Sequence, residues 1–462
     1  MKRRHGVLLF VIVSLSFCLF QVVYVLFTAS NDCKCMLNVV QVFLSTCSKH
    51  GVSPFLVDPD VLEGWQEFHF KHESKAGLVV ADDGIQHFCN RKMVTFAVLA
   101  TEWPSATQKW NMKLLLRDFK ELSFLWTNTT GPHPRLWRVT DLVKQEPSPY
   151  HFVFWQASLA LHLVIFYSRG QESYMWHAPT DLQLFREYNL AHPAVQPVEE
   201  QGRTHVHFPL TAGTYERFDL TTIVVHDILF HSPRDVASFL SQQRASRFLE
   251  CDAKSARQFY EKYPNQVSDD ELEFLVQARQ LLALGKSVME NVGIRFWLSS
   301  GTCLGWFRQC NLIPYSRDVD FGVWIKDYDE RLVQAMLDRG LTLKHRFGKV
   351  SDGFELSFVY FGLKLDLFFF YEESDHMWNG GTQAKSGKKF KYTFPKFTLC
   401  WTELVGVRVR VPCETLSYIQ ANYGRNWAEP VRHWDWKSSP SNVREVGTWP
   451  EREWPEVIQV FS

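Results

Sequence analysis

The chain carries no net charge: Lys plus Arg and Asp plus Glu each number 50. Without a surplus of either sign there is no global field to gather nucleic acid or an anionic membrane surface, so nucleic acid is excluded as a partner. Paired cysteine spacing is missing as well. The ten cysteines never fall into the close pairs of a zinc ribbon, so a structural zinc has no support. Glycosylation signals are almost absent: Asn128-Thr129-Thr130 is the single Asn-x-Ser/Thr sequon, usable if this part of the chain is lumenal. Between about Gly51 and Arg244 no grouping of acids, histidines or cysteines demands chemistry. His205-Val206-His207 would share a strand face, with His226 and His231 further on, but a solvated or core pair is the plainer reading.

What is present divides the chain. Met1-Lys2-Arg3-Arg4-His5 precedes a run from Gly6 to Thr28 without a charged residue. Roughly 20 apolar residues cross a bilayer as a helix. A cleaved signal peptide has a shorter apolar core and a small-x-small site, whereas this run stays bulky to its end. The basic residues in front place 1–5 in the cytosol, 6–28 as a signal anchor and the remainder in a lumen. A lumenal chain favours disulfides. Cys33-Lys34-Cys35 suits bridges between stems, Cys303 and Cys310 flank a small-residue turn, and Cys400 and Cys413 bracket a hairpin. Residues 29–50 read as a helical stem. From 51 to 245, short runs such as 54–57, 77–80, 94–99, 151–155 and 161–167 alternate with polar turns. They predict a lumenal α/β or α+β domain serving acceptor binding, assembly or structure.

Residues 246–462 carry the chemistry. Ser268 and Glu271 form a capping box, an apolar face runs along 268–292, and Gly293 supplies the stop, so a helix leads into a short buried strand. The stretch from Phe296 to Ile325 then holds the turn Ser299-Ser300-Gly301-Thr302 and the pair Asp318 and Asp320. On a strand, residues two apart share a face, so both carboxylates look one way and Val319, Phe321 and Val323 the other. Like charges so placed call for a cation, and oxygen ligands suit Mg²⁺ or Mn²⁺ holding substrate phosphates. Backbone N–H groups of a small-residue turn can approach a phosphate closely. Asp58-Pro59-Asp60 has the same spacing, but Pro59 cannot join a central strand and a turn fits better. A third acid, Asp366, lies in the apolar run Leu363 to Phe370, where a lone carboxylate is costly unless paired or metal-bound. Lys364 is set aside as its partner on the ground that strand neighbours face opposite ways.

A small-residue turn, an Asp-x-Asp strand and a later isolated Asp follow the order of parts in nucleotidyltransferase-fold enzymes. The stretch GTCLGWFRQCNLIPYSRDVD resembles the signature of the LicD family, which transfers phosphorylated alcohols from CDP-linked donors. KHRFGKV, LKLDLFFFYEESDHMWNGGTQAKSGKKFKY and FPKFTLCW are similar to the Golgi branch of that family that acts on α-dystroglycan. The fold class implied is mixed α/β with a C-terminal nucleotidyltransferase-like catalytic domain. The resemblance also implies a CDP-ribitol donor and a phosphorylated O-mannosyl glycan acceptor on α-dystroglycan. A Golgi-membrane location follows too, with other O-mannosyl glycan enzymes, a second LicD-family protein among them, as partners, and self-association left open. Asp318 and Asp320 would hold the metal, and Asp366 would either complete its shell or accept the acceptor hydroxyl proton. Ser300, Gly301, Thr302, Arg308 and Lys349 would bind the donor. Read from the residues alone, Lys344 and the run Lys385 to Lys391 are candidate cations, though a solvated loop is the plainer reading of the run. Asn379 to Thr382 could close over the donor as a loop, and His345 and His376 are candidate proton carriers. Trp434 and Trp436 could stack on the acceptor sugar, though core packing is the plainer reading. The family usually places another acid just before the pair, where this chain has Ser316-Arg317. Two other classes compete: a glycosyltransferase using Asp-x-Asp with a nucleotide sugar, and a non-catalytic scaffold.

Overall fold

The computed structural model describes residues 34–69, 92–101, 109–134, 147–156, 159–170, 174–181, 208–225, 227–264 and 268–461. The expected signal anchor at 6–28 and the strand expected at 77–80 lie outside them. Among the described residues no helix is long and apolar enough to cross a membrane. The described residues divide into two compact units, the second comprising 134, 169–170, 174, 246–264 and 268–461.

The first unit is built on a mixed sheet. Its strands are β1 (Phe55–Leu56), β2 (Met93–Leu99), β3 (Leu125–Gly131), β4 (Ser148–Gln156), β5 (Leu159–Arg169), β6 (Tyr174–His177), β7 (Gly213–Tyr215), β8 (Leu220–Val225) and β9 (Ile228–Pro233). They run in the order β3-β4-β5-β2-β1-β9-β8, with β6 and β7 attached through β5. The segment expected as a stem is a helix over 34–49, but not a free one. Val40, Phe43 and Cys47 are buried, and Phe43 packs on Phe96, Phe119 and Phe154 with ring centroids 5.4–6.0 Å apart. Burying that apolar face outweighs leaving it in water as a spacer. Asp58-Pro59-Asp60 opens a helix rather than a turn: Asp58 accepts from Val61 N–H (3.4 Å) and Pro59 is the first helical residue, a position that needs no N–H.

The second unit carries β10 (Phe296–Leu298), β11 (Asp318–Trp324), β12 (Thr342–Lys349), β13 (Asp352–Tyr360), β14 (Leu363–Glu372), β15 (His376–Gln383), β16 (Lys388–Pro395), β17 (Leu399–Leu404), β18 (Val407–Pro412), β19 (Val443–Thr448) and β20 (Ile458–Val460). The main order is β19-β16-β15-β14-β13-β12-β20, with β11 pairing β14 in parallel and β10 on β11. Asp269–Val292 is a helix with the predicted capping box at Ser268 and Glu271, closed by Gly293 at φ 81°. It lies against the apolar face of the acidic strands: a Cβ on Gly285 would stand 2.9 Å from Phe321 and 3.0 Å from Leu365. Disulfides join Cys251 to Cys310 and Cys400 to Cys413, the latter closing the β17–β18 hairpin, while Cys303 is buried and free.

Gly322 stands between Asp320 and Trp324 on the acid-bearing face, with the buried Trp297 indole laid over it; an added Cβ would come within 2.3 Å of that ring. Gly322→Ala should therefore destabilise the second unit by about 1–3 kcal/mol, seen as a lowered midpoint in thermal unfolding of the full chain. An unchanged midpoint would show that the Trp297 contact is slack.

Candidate active site

The parallel register fixes the site. Asp320 sits opposite Asp366, and Asp318 opposite Lys364, across β11 and β14. The four side chains thus form a two-by-two block on one face, and each strand's alternation sends Val319, Phe321, Leu365 and Leu367 into the core on the other. One oxygen from each of Asp318, Asp320 and Asp366 lies within 4.8 Å of the others. Asp320 and Asp366 are buried and Asp318 partly so.

Each carboxylate is held by a hydroxyl. Ser316 Oγ donates to Asp318 Oδ1 (2.6 Å), Thr302 Oγ1 to Asp320 Oδ2 (3.3 Å), and Ser357 Oγ, opposite Asp366 on β13, to Asp366 Oδ1. Ser316 therefore supplies a hydrogen bond where the family pattern has an acid. Arg317 turns away at φ 65°, reaching the Asp270 carbonyl (3.4 Å) and lying over Phe274. Burial, and after it the neighbouring carboxylates, pushes Asp320 well above the usual carboxylate range; burial also raises Asp318, against the pull of Ser316. A site whose acids resist ionising alone, with three convergent oxygens, fits a hard divalent cation.

Around this floor opens a cavity of about 520 Å³. Ser300, Gly301, Arg308, His345 and Lys364 line it, as do Asn379, Gly380, Gly381, Thr382, Trp434 and Trp436. Gly301 lies close against the acids: a Cβ there would stand 2.9 Å from Ser316 Oγ and 3.5 Å from Asp320 Oδ2, so a larger residue would push on the hydroxyl that holds Asp318. The small-residue turn is the start of the Ser300–Gln309 helix, so its first N–H groups and positive end face this region. Arg308 is buried, packs over Phe259 (4.8 Å) and bonds Gln309 Oε1; among the described residues it has no carboxylate partner.

Several expected residues sit elsewhere. Thr302 does not face a donor: it is buried, and its N–H (3.2 Å) and hydroxyl both serve Asp320, whose own N–H bonds Thr302 Oγ1 (2.8 Å). Lys349 is taken up by Glu453 (2.9 Å) at the far end of the β12–β13 hairpin and does not line the cavity. Lys344 is exposed, and Lys388, Lys389 and Lys391 are paired with Glu445, Asp352 and Glu373. Asn379 to Thr382 is no loop but the middle of β15, since its backbone is paired with β16. His345 lines the cavity with Nε2 on Glu355 (3.1 Å), whereas His376 bonds the exposed Asp375. Asn128 is exposed on the edge strand β3. His205, His207 and His226 lie outside the described residues, and His231 bonds Thr222.

The reading that excluded Lys364 fails, because Lys364 and Asp366 are two apart and so share a face; Nζ stands 3.2 Å from Asp366 Oδ2. Burial opposes its charge, but the nearby carboxylates outweigh burial and hold its pKa above the ordinary lysine value. Sequence reasoning also missed Asn422, Tyr392 and Arg432 in the cavity wall. A cleft of about 720 Å³ elsewhere in this unit, lined by Trp306, Phe307 and Leu416, lacks such a block of acids.

Three strand-borne carboxylates on a mixed sheet, beside a helix N-terminus and a walled cavity, define a nucleotidyltransferase-type active site. A profile described as Fukutin N-terminal matches residues 7–279, and one described as LicD/FKTN/FKRP, nucleotidyltransferase domain, matches 293–414. The protein named Ribitol-5-phosphate transferase FKTN is 41% identical in Mus musculus over 426 residues, covering 92% of this chain and 88% of that one. The Homo sapiens protein of that name is likewise 41% identical, over 427 residues with the same coverage. An uncharacterised Caenorhabditis elegans protein is 28% identical over 244 residues, half of this chain and 60% of its own length. The chain belongs to the fukutin family and is an enzyme of the transferase class.

Two outcomes follow from the hydrogen bonding and charge. Thr302→Ala should weaken Mn²⁺ binding by about 10-fold, the scale of partners that orient metal ligands, while Thr302→Ser keeps it; calorimetric titration would check this. In metal-free protein the raised pKa values of Asp318 and Asp320 mean that the fold favours their protonated forms. The stability they contribute is present below the ordinary carboxylate value of about 4 and is lost as pH rises through their raised values. In EDTA the unfolding midpoint should therefore fall as pH rises above the ordinary carboxylate value of about 4, Mn²⁺ should restore it most at the upper end, and Asp320→Asn should flatten the trend.

Proposed function

We propose that the chain transfers ribitol 5-phosphate from CDP-ribitol to the terminal N-acetylgalactosamine of the phosphorylated O-mannosyl trisaccharide on α-dystroglycan. The observation that carries this reading is the convergence of Asp318, Asp320 and Asp366 on one face of β11 and β14, in a chain related along nearly its whole length to proteins named ribitol-5-phosphate transferase. Mg²⁺ or Mn²⁺ held by those three acids would neutralise charge on the donor diphosphate.

The chain's own residues do the positioning. Ser316, Thr302 and Ser357 aim the three carboxylates, so little reorganisation remains when substrate arrives. The N-terminal end of the Ser300–Gln309 helix, at Ser300 and Gly301, and the buried Arg308 give the donor phosphates partial and full positive charge. In-line displacement at phosphorus needs chiefly this alignment and charge stabilisation. Trp434 and Trp436, both partly exposed and facing the cavity, offer ring faces for the acceptor sugar. We place the protein in the Golgi membrane as a single-pass type II chain with this unit in the lumen. Its partners there would be fukutin-related protein and other O-mannosyl glycan enzymes.

The test is to incubate the full-length protein with CDP-ribitol, Mg²⁺ or Mn²⁺ and a phosphorylated O-mannosyl glycopeptide, and to weigh the product. One added ribitol phosphate is expected, with Asp318→Ala lowering kcat/KM by at least about 10³-fold. Elongation with a nucleotide sugar but not with CDP-ribitol would indicate a glycosyltransferase, and full activity of Asp318→Ala a scaffold.

A further inference from the structure

Lys364 is the one cation that pairs with any of the three acids among the described residues. It occupies the fourth corner of the block, opposite Asp318 and two residues before Asp366, with Nζ on Asp366 Oδ2 at 3.2 Å. The other oxygen of Asp366 is taken by Ser357. The side chain of Asp366 is 8% exposed, but that of Lys364 is 47% exposed and lines the cavity. Its ammonium is therefore tethered to the acids at one end of its reach and faces the substrate space at the other. With all three acids ionised, three carboxylates and one ammonium sum to a formal charge of minus two, which a divalent ion cancels. A divalent ion on the three acids and an ammonium on Asp366 would compete for one carboxylate and repel each other across it.

We propose that Lys364 is a resident counter-ion that holds Asp366 in place until a divalent cation displaces it, and that its freed ammonium then binds the donor's phosphates. This rests on the reading of the acids as a metal site for a nucleotide diphosphate. Lysine suits the exchange better than arginine, being a compact charge on a flexible four-carbon stem with three rotatable donors. No bond is made or broken: one ion pair is exchanged for another. The same side chain thereby opposes metal binding and favours donor binding, so its removal should move the two affinities in opposite directions.

The test measures Mn²⁺ binding without nucleotide, and CDP binding with Mn²⁺ present, by calorimetry on full-length wild type, Lys364→Met and Lys364→Arg. Lys364→Met should bind Mn²⁺ about fivefold more tightly, the range of a partly exposed ion pair, and CDP about tenfold more weakly, the range of a charge-assisted hydrogen bond. Lys364→Arg should stay near wild type for Mn²⁺ and recover part of the CDP affinity. Unchanged affinities in Lys364→Met would make the pair a surface ornament, and loss of both would make Lys364 a structural prop for Asp366; either overturns the proposal. If wild type binds Mn²⁺ and CDP while Lys364→Met behaves in one of those ways, the proposal alone fails. If wild type binds neither, the metal-site reading falls with it.

Discussion

Everything in the catalytic unit depends on a parallel strand pair that sets one buried carboxylate directly against another. Asp320 and Asp366 face each other across β11 and β14, and like charges in that position oppose folding unless the surroundings compensate. The compensation is local and specific. Three hydroxyls, one backbone N–H and one ammonium converge on the acids. The opposite face keeps the register from escaping: a slip of one residue would put Val319, Phe321 and Leu365 in the cavity and the acids under the long helix. The apolar face thus enforces an arrangement that the polar face resists.

Two of the non-glycine residues with positive φ stand beside the acids. Ser300 at φ 41° opens the helix beside Asp320, and Arg317 at φ 65° turns the chain into Asp318. Non-glycine residues in the left-handed region cost of order 1–3 kcal/mol and persist only where neighbours impose them. The bonds beside these positions are those of Thr302 to Asp320 at the helix start and of Ser316 to Asp318 at the approach to the strand.

Much of this was legible in the residues. The alternation at Asp318 and Asp320, the capping box at Ser268 and the isolation of Asp366 each state a local rule that the fold obeys. What was not legible depended on which strands become neighbours. Thr302 looked like a phosphate ligand because a small-residue turn says nothing about the carboxylate that will stand above it. Lys349 looked free because its partners Glu453 and Glu456 lie a hundred residues away. Asn379 to Thr382 looked like a loop because its glycines are read as turn formers, yet Gly380 stands where a Cβ would come within 2.4 Å of Gly353. There glycine serves close packing of two strands. Lys364 differs from these cases, since the period of the strand was enough to find it.

The acid block and part of the cavity wall come from different stretches of the chain. The acids, the helix start and Arg308 all fall within the span matched by the LicD profile, which ends at residue 414. Asn422, Arg432, Trp434 and Trp436, which also line the cavity, come after it. A floor that manages phosphate charge can be common to enzymes with different acceptors, because charge neutralisation at phosphorus is the same problem in each. The ring faces that line the cavity beside that floor come from the later segment, in Trp434 and Trp436. The chain's overall neutrality fits this plan: the charges that matter are concentrated within one cavity, where low dielectric strengthens them, rather than spread over a surface where salt would screen them.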